Sequence, residues 1–176
     1  MRTLYTIAYP TLAAADFAFI NEFRHQHDLP YRDVVRPHFT QVFGCRDIAE
    51  PDYLDHVAAV AKASQPINFV CRYAMLGADH ALPIAHVFLL PDEGHSALSL
   101  QHDQLYTGAL ARHLRLDIPF TPHITIGTLD DRVAAKALCD GLNRDGLNIC
   151  GQIGVLTVAA LEDGKILDIA GFTLGK

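Results

Sequence analysis

The chain has 176 residues, a length that suits one domain with a sizeable buried core. Half of its residues are hydrophobic and 19% are charged, which excludes long disordered spans. A formal net charge of -6 lacks the basic excess of a protein that tracks long duplex nucleic acid, and a small phosphorylated ligand fits it better.

Cys45, Cys71, Cys139 and Cys150 are scattered and form no C-x-x-C pair, so neither a zinc ribbon nor a disulfide scaffold is expected. The opening MRTLYTIAYP has too short an apolar run for a signal peptide, and no run reaches the length of a membrane span. The expectation is a soluble, reduced, cytoplasmic protein with no membrane partner.

In chain order, residues 4–9 (LYTIAY) are β-branched and aromatic and stop at Pro10, as a strand does. Residues 12–27 place Ala13, Phe17, Ile20 and Phe23 at helical spacing, with Arg24 elsewhere on the wheel. Residues 34–43 read as a second strand. Glu50-Pro51-Asp52 opens a helix with Leu54, Val57, Ala58 and Ala61 as its buried stripe.

Residues 67–76 and 84–90 read as a hairpin around Gly77-Ala78-Asp79, followed by a turn at Pro91-Asp92-Glu93-Gly94. Residues 96–114 read as one long helix starting at a serine cap, with Leu100, Leu105 and Leu110 on it. A strand over 120–128 and a helix over 132–142 come next. The tail is a hairpin, residues 155–161 and 166–172, turned by Glu162-Asp163-Gly164-Lys165. The order β-α-β-α-β-β-α-β-α-β-β holds two arms of similar make-up, with no linker between them.

Each arm carries the same phrase. Residues 36–44 read RPHFTQVFG and residues 120–129 read FTPHITIGTL. Composition alone predicts roughly 0.7 matches to H-x-[ST], so the triplet by itself is weak. The shared proline, the apolar residues that follow and the matching place in each arm make the pair more specific. Alternation along a strand puts His38 with Thr40, and His123 with Thr125, on one face. Phe39, Phe43, Ile124 and Ile126 then take the opposite face, under the helices. Two imidazoles and two hydroxyls facing one cleft suit attack on a phosphodiester. One histidine takes a proton from water, the other gives one to the leaving oxygen, and the hydroxyls donate to the phosphoryl oxygens.

The two PHxT strands and the element order resemble the 2H phosphoesterase superfamily, which includes 2'-5' RNA ligase-like proteins and cyclic phosphodiesterases. The resemblance implies an α+β fold: residues 1–176 as a single bilobal domain with a pseudo-two-fold repeat, its antiparallel sheets lining a central cleft with helices outside. It implies His38 and His123 as the catalytic pair and Thr40 and Thr125 as phosphate-binding hydroxyls, with no metal and no cofactor. The implied substrate is a 2',3'-cyclic phosphate or related phosphodiester on a small nucleotide or RNA end.

The RNA ligase-like branch often follows its second motif with arginine, where this chain has Thr128 in HITIGT. Arg36, two residues before His38, is the candidate for the missing cation, and Arg72 is a weaker one. Ligation through a 2'-5' bond uses the same acid and base and is the alternative activity; a nucleotide or RNA-end binding module without turnover is the alternative class. Tyr9, Tyr73 and Phe88 are candidates for stacking on a base. His80, His86, His95, His102 and His113 show no metal-ligand spacing.

Overall fold

The strands of the computed structural model, which describes residues 2–79 and 82–176, form two antiparallel sheets. The elements are β1 (Leu4–Ala8), β2 (Thr11–Leu12), α1 (Ala14–His27), β3 (Phe39–Cys45), α2 (Glu50–Ala63), β4 (Ile67–Ala78) and β5 (Ala85–Glu93). Then follow α3 (His95–Leu105), a 3-10 helix (Gly108–His113), β6 (Ile124–Leu129), α4 (Arg132–Asp145), β7 (Ile149–Ile153), β8 (Val155–Glu162) and β9 (Lys165–Thr173). One sheet has the order β3-β1-β8-β9 and the other β2-β7-β4-β5-β6, so each motif strand lies at a sheet edge.

The fold is α+β, with helices outside the two sheets. The arms do not simply follow one another, however. The C-terminal hairpin returns to the first lobe, where β8 pairs with β1 over Leu4–Ile7. Its turn suits the twist of paired strands, because Asp163 (φ 48°) and Gly164 (φ 76°) both adopt the left-handed region. Helix α1 packs on β6 of the other sheet, α2 on β8 and β9, and α3 on strands of both. Phe39 of β3 and Phe69 of β4 meet edge-on at 5.0 Å, joining the sheets through one core.

Several expectations change. The expected helix over 96–114 is two pieces: α3 ends at Leu105, and Gly108 with φ 50° starts the 3-10 helix after Thr107. Gly94, not a serine, is the N-cap of α3, and Leu100 is exposed. Gly77 lies inside β4, paired with His86, and Pro91 inside β5, paired with Cys71, so neither belongs to a turn. Phe17 is exposed, whereas Arg24 is 4% exposed and paired with the fully buried Asp28 at 2.9 Å. Strand β7 has little apolar alternation (ICGQI) and owes its place to pairing with both β2 and β4. Among the described residues no helix is long and apolar enough to cross a membrane. His80 lies outside the described residues.

Candidate active site

Both motif strands begin just after their histidine, at Phe39 and at Ile124. Each is then interrupted directly after its threonine. On β3 the partners of Ile7 and Thr6 are Thr40 and Val42, which leaves Gln41 as an extra residue. On β6 the partners of Phe88 and Val87 are Thr125 and Gly127, which leaves Ile126 as the extra one. Such a bulge reverses the alternation beyond it. Phe39, Ile124 and Ile126 are fully buried in the core. Phe43 and Thr128, each three residues past the motif threonine, return to the side of the histidines. The expectation that Phe43 packs under the helices is therefore corrected: it lines the cavity.

That cavity has a volume of about 530 Å³ and draws on both lobes. Thr40 and Phe43 come from β3, His86 and Phe88 from β5, and Phe120, Thr121 and His123 from the segment before β6. Met75, Leu76 and Gly77 of β4 also line it. His38 reaches the cavity through Thr40, whose hydroxyl is 3.2 Å from its Nε2. Thr125 stands directly opposite Phe88 across β5 and β6, hence on the same face as His123.

The two histidines are held alike. His38 Nδ1 lies 2.8 Å from the Arg36 carbonyl and His123 Nδ1 lies 2.6 Å from the Thr121 carbonyl, in each case two residues back. A carbonyl only accepts, so each Nδ1 carries the proton and donates it. This fixes the tautomer with a lone pair on Nε2, and the Thr40 hydroxyl donates to that of His38. Burial lowers both imidazoles from 6.5 to about 4. The carbonyls work the other way, while charge on Arg24 and His123 further lowers His38 and charge on His86 further lowers His123.

Aromatic rings build the rest of the wall. Phe88 stacks on His123 with centroids 3.8 Å apart and on His86 at 5.5 Å. Phe88 can lie there because residue 77 has no side chain: a Cβ on Gly77 would stand 2.1 Å from its ring. Phe120 stacks at 3.6 Å on His102, which is buried and whose Nδ1 donates to the carbonyl of the bulged Gln41. His102 thus ties β3 to the cavity wall. Of the proposed stacking residues only Phe88 lines the cavity. Tyr73 is 51% exposed on β4, and Phe43 and Phe120 were not expected there.

Neither arginine candidate lies in the cavity wall. Arg36 precedes the strand and stacks on Tyr9 at 3.8 Å, with its guanidinium 2.9 Å from Asp168. Tyr9 donates to the same carboxylate. Arg72 is held by Asp92 and Glu93. Thr128, in the place of the expected arginine, instead has its hydroxyl 3.1 Å from His86 Nδ1, and His86 Nε2 is 3.6 Å from Asp79. Neither His86 nor Asp79 belongs to a sequence motif, and their juxtaposition depends on the β4–β5–β6 register. Among the described residues no group of three or more His, Cys, Asp or Glu could hold a metal ion.

The model of the 2'-5' RNA ligase superfamily matches residues 10–165. The chain belongs to that family. It is thus a member of the 2H phosphoesterase superfamily that its PHxT strands resembled. Its fold is similar to that of E. coli LigT complexed with 3'-AMP, at 17% identity over 99% of each chain and a TM-score of 0.61. The LigT complex with NADP+ matches at 17% identity over 99% of each chain, with a TM-score of 0.59. Kluyveromyces marxianus Usb1 with uridine monophosphate matches at 8% identity over 98% of each chain, with a TM-score of 0.58. No curated protein matches the chain.

Proposed function

We propose that this 2H phosphoesterase-superfamily chain hydrolyses a 2',3'-cyclic phosphate, or a related phosphodiester on a nucleotide or RNA end, without a metal or cofactor. The observation that carries the reading is the matched tethering of His38 and His123. Each gives its Nδ1 proton to a carbonyl two residues back and keeps Nε2 for chemistry. A bond forms between the oxygen of water and phosphorus, and the bond to a ribose oxygen breaks. One Nε2 takes the proton that the water loses, and the other supplies the proton that the leaving oxygen gains. Thr40 and Thr125 donate to the non-bridging oxygens as charge builds there.

The cavity suits a nucleoside better than a long backbone. Phe43, Phe88 and Phe120 offer flat apolar faces, and no arginine or lysine is among the residues that line it. The similar LigT and Usb1 structures hold 3'-AMP, NADP+ and uridine monophosphate, all small nucleotides. The reading places the protein in the cytoplasm, with a small phosphorylated partner and no long duplex.

The test is turnover of a 2',3'-cyclic mononucleotide in excess EDTA, compared with His38→Ala and His123→Ala. Each substitution is expected to lower turnover by about 10²–10⁴, the range for a positioned acid or base. Turnover that requires an added divalent ion, or that survives both substitutions together in a folded protein, overturns the proposal. Nucleotide binding with no turnover of any cyclic or linear phosphodiester points to a binding module, and 2'-5' joined products point to a ligase.

A further inference from the structure

We propose that Arg36, held in place by Tyr9 and Asp168, is a stacking platform for a second nucleoside beside the motif histidines, so that the preferred ligand is a dinucleotide or a longer RNA end. This deepens the two-histidine reading above and rests on it for the position of the phosphate.

A second recess, of about 260 Å³, lies next to the start of β3. Tyr9, Arg36 and Asp168 line it, with Arg32 and Asp33 beside them. The Ile166 N–H donates to the Val34 carbonyl at 3.0 Å, which ties the C-terminal hairpin to the segment that leads into His38. His38 joins this recess to the main cavity. Its Nε2 is 3.2 Å from the hydroxyl of Thr40, which lines the cavity. Its ring meets that of Tyr9, which lines the recess, edge-on at 6.3 Å. A phosphate held at His38 therefore adjoins both the aromatic wall and the recess. Pockets that take a whole ligand run from about 300 Å³ upward, so the recess suits one part of a ligand anchored at the histidines.

The charges say which part. Arg36 is 2.9 Å from Asp168 and Arg32 is 3.4 Å from Asp33, so two carboxylates match the two arginines. Such a balance gives a second phosphate little attraction. What Arg36 offers is its plane. Its guanidinium lies 3.8 Å over the Tyr9 ring, and Asp168, which also accepts from the Tyr9 hydroxyl at 2.9 Å, fixes its edge. The Arg36 side chain is nonetheless 63% exposed, which leaves the face away from Tyr9 open to solvent. Bases stack on guanidinium planes, and a plane already ordered by two partners loses less freedom when one arrives. Tyr9, covered by Arg36, supports the stacking surface without touching the base.

The experiment measures binding and needs no turnover. Calorimetry compares 3'-AMP with two adenine dinucleotides. One carries a terminal 3'-phosphate, and the other has only the internal phosphate, as a slowly hydrolysed phosphorothioate. The ratio of dinucleotide to 3'-AMP affinity is read in the wild type, Arg36→Gln and Arg36→Lys. For at least one dinucleotide it should fall by roughly 5–150-fold in Arg36→Gln, the worth of one stacked base. The dinucleotide that responds tells whether the second nucleoside lies beyond the 5' oxygen of the first or across the phosphate.

Arg36→Lys, which keeps the charge but not the plane, should lose most of the same preference. A contact that merely holds the hairpin would move all three ligands together and leave the ratio alone. In the wild type the Arg36 Nε–H resonance should shift with the dinucleotide beyond its shift with 3'-AMP, a reading that stands should a variant fail to fold. An unchanged ratio in folded Arg36→Gln, a preference kept in Arg36→Lys, or an Arg36 resonance that answers both ligands alike overturns the proposal. Absence of turnover on every phosphodiester defeats the proposed function instead and leaves the binding ratio standing.

Discussion

Gly77 lies directly beneath the ring of Phe88, so close that a Cβ there would stand 2.1 Å from Cε2. Because Phe88 stacks on His123 at 3.8 Å, a backbone position on β4 governs where the motif histidine just before β6 sits. Gly77→Ala should therefore fold with an overpacking cost of about 1–3 kcal/mol. Turnover should fall more than this suggests, up to roughly 100-fold, because a misplacement near 1 Å suffices for that. Phe88→Leu in the same chain should restore part of the stability, read by thermal unfolding, but not the turnover. An unchanged kcat/KM in Gly77→Ala would show that the stack does not position His123.

The hydroxyls should matter less than the imidazoles, and the imidazoles should act as a unit. Thr40→Ala or Thr125→Ala should lower turnover by up to about 10²–10³, as the loss of one transition-state donor does. The His38→Ala, His123→Ala double variant should be little worse than the poorer single, since acid and base act in one step. Single-turnover rates on a 2',3'-cyclic nucleotide give this comparison, and simple additivity of the two effects would count against a shared site.

Acid should weaken the fold through the same two rings. His38 and His123 are lowered from 6.5 to about 4 on folding, chiefly by burial. The unfolded chain then binds more protons between those values, so stability is fully present above pH 6.5 and is lost as pH falls towards 4. Unfolding midpoints measured from pH 8 to pH 4 should fall over that window, and more shallowly in a His38→Gln, His123→Gln variant. Equal slopes in the two proteins would place the titrating groups elsewhere.

Anion binding should show the converse pH dependence. An anion between the rings favours their charged forms, so it must draw protons into a site that is neutral when empty. Sulfate keeps its charge through the range and should bind more tightly as pH falls from 8, by up to tenfold per unit for each proton taken up. Below about 4 the gain should level off, because the free rings are then already charged. Calorimetry in buffers of different ionisation enthalpy reads the proton uptake directly.

The buried Arg24–Asp28 pair at the end of α1 should be costly to break and cheap to replace. Arg24→Met leaves the Asp28 carboxylate buried without its partner and should destabilise by about 3–5 kcal/mol. Arg24→Met with Asp28→Leu should recover much of that loss in denaturant titrations. Recovery no better than the single variant would mean that the pair also holds the Arg24–Tyr31 carbonyl bond as an essential tie.

The sequence by itself determined the local pieces of this protein and the chemistry that they carry. The β-branched residues of LYTIA and ITIGTL, the apolar stripe Val57–Ala61 and the Asp163-Gly164 turn depend on residues near in the chain, and their physics is complete there. The two PHxT phrases were legible for the same reason, and so was the family. The tertiary structure decided what adjacent strands impose on one another. Pairing with β1 and with β5 forces an extra residue after Thr40 and after Thr125, and only this turns Phe43 and Thr128 towards the histidines. Register across β4, β5 and β6 brings together Asp79, His86, Thr128 and, through Phe88, His123, residues with no common spacing. The closing of the first sheet by the C-terminal hairpin, and the burial of a charged Arg24 against Asp28, likewise depend on partners far away or on packing that no periodicity records.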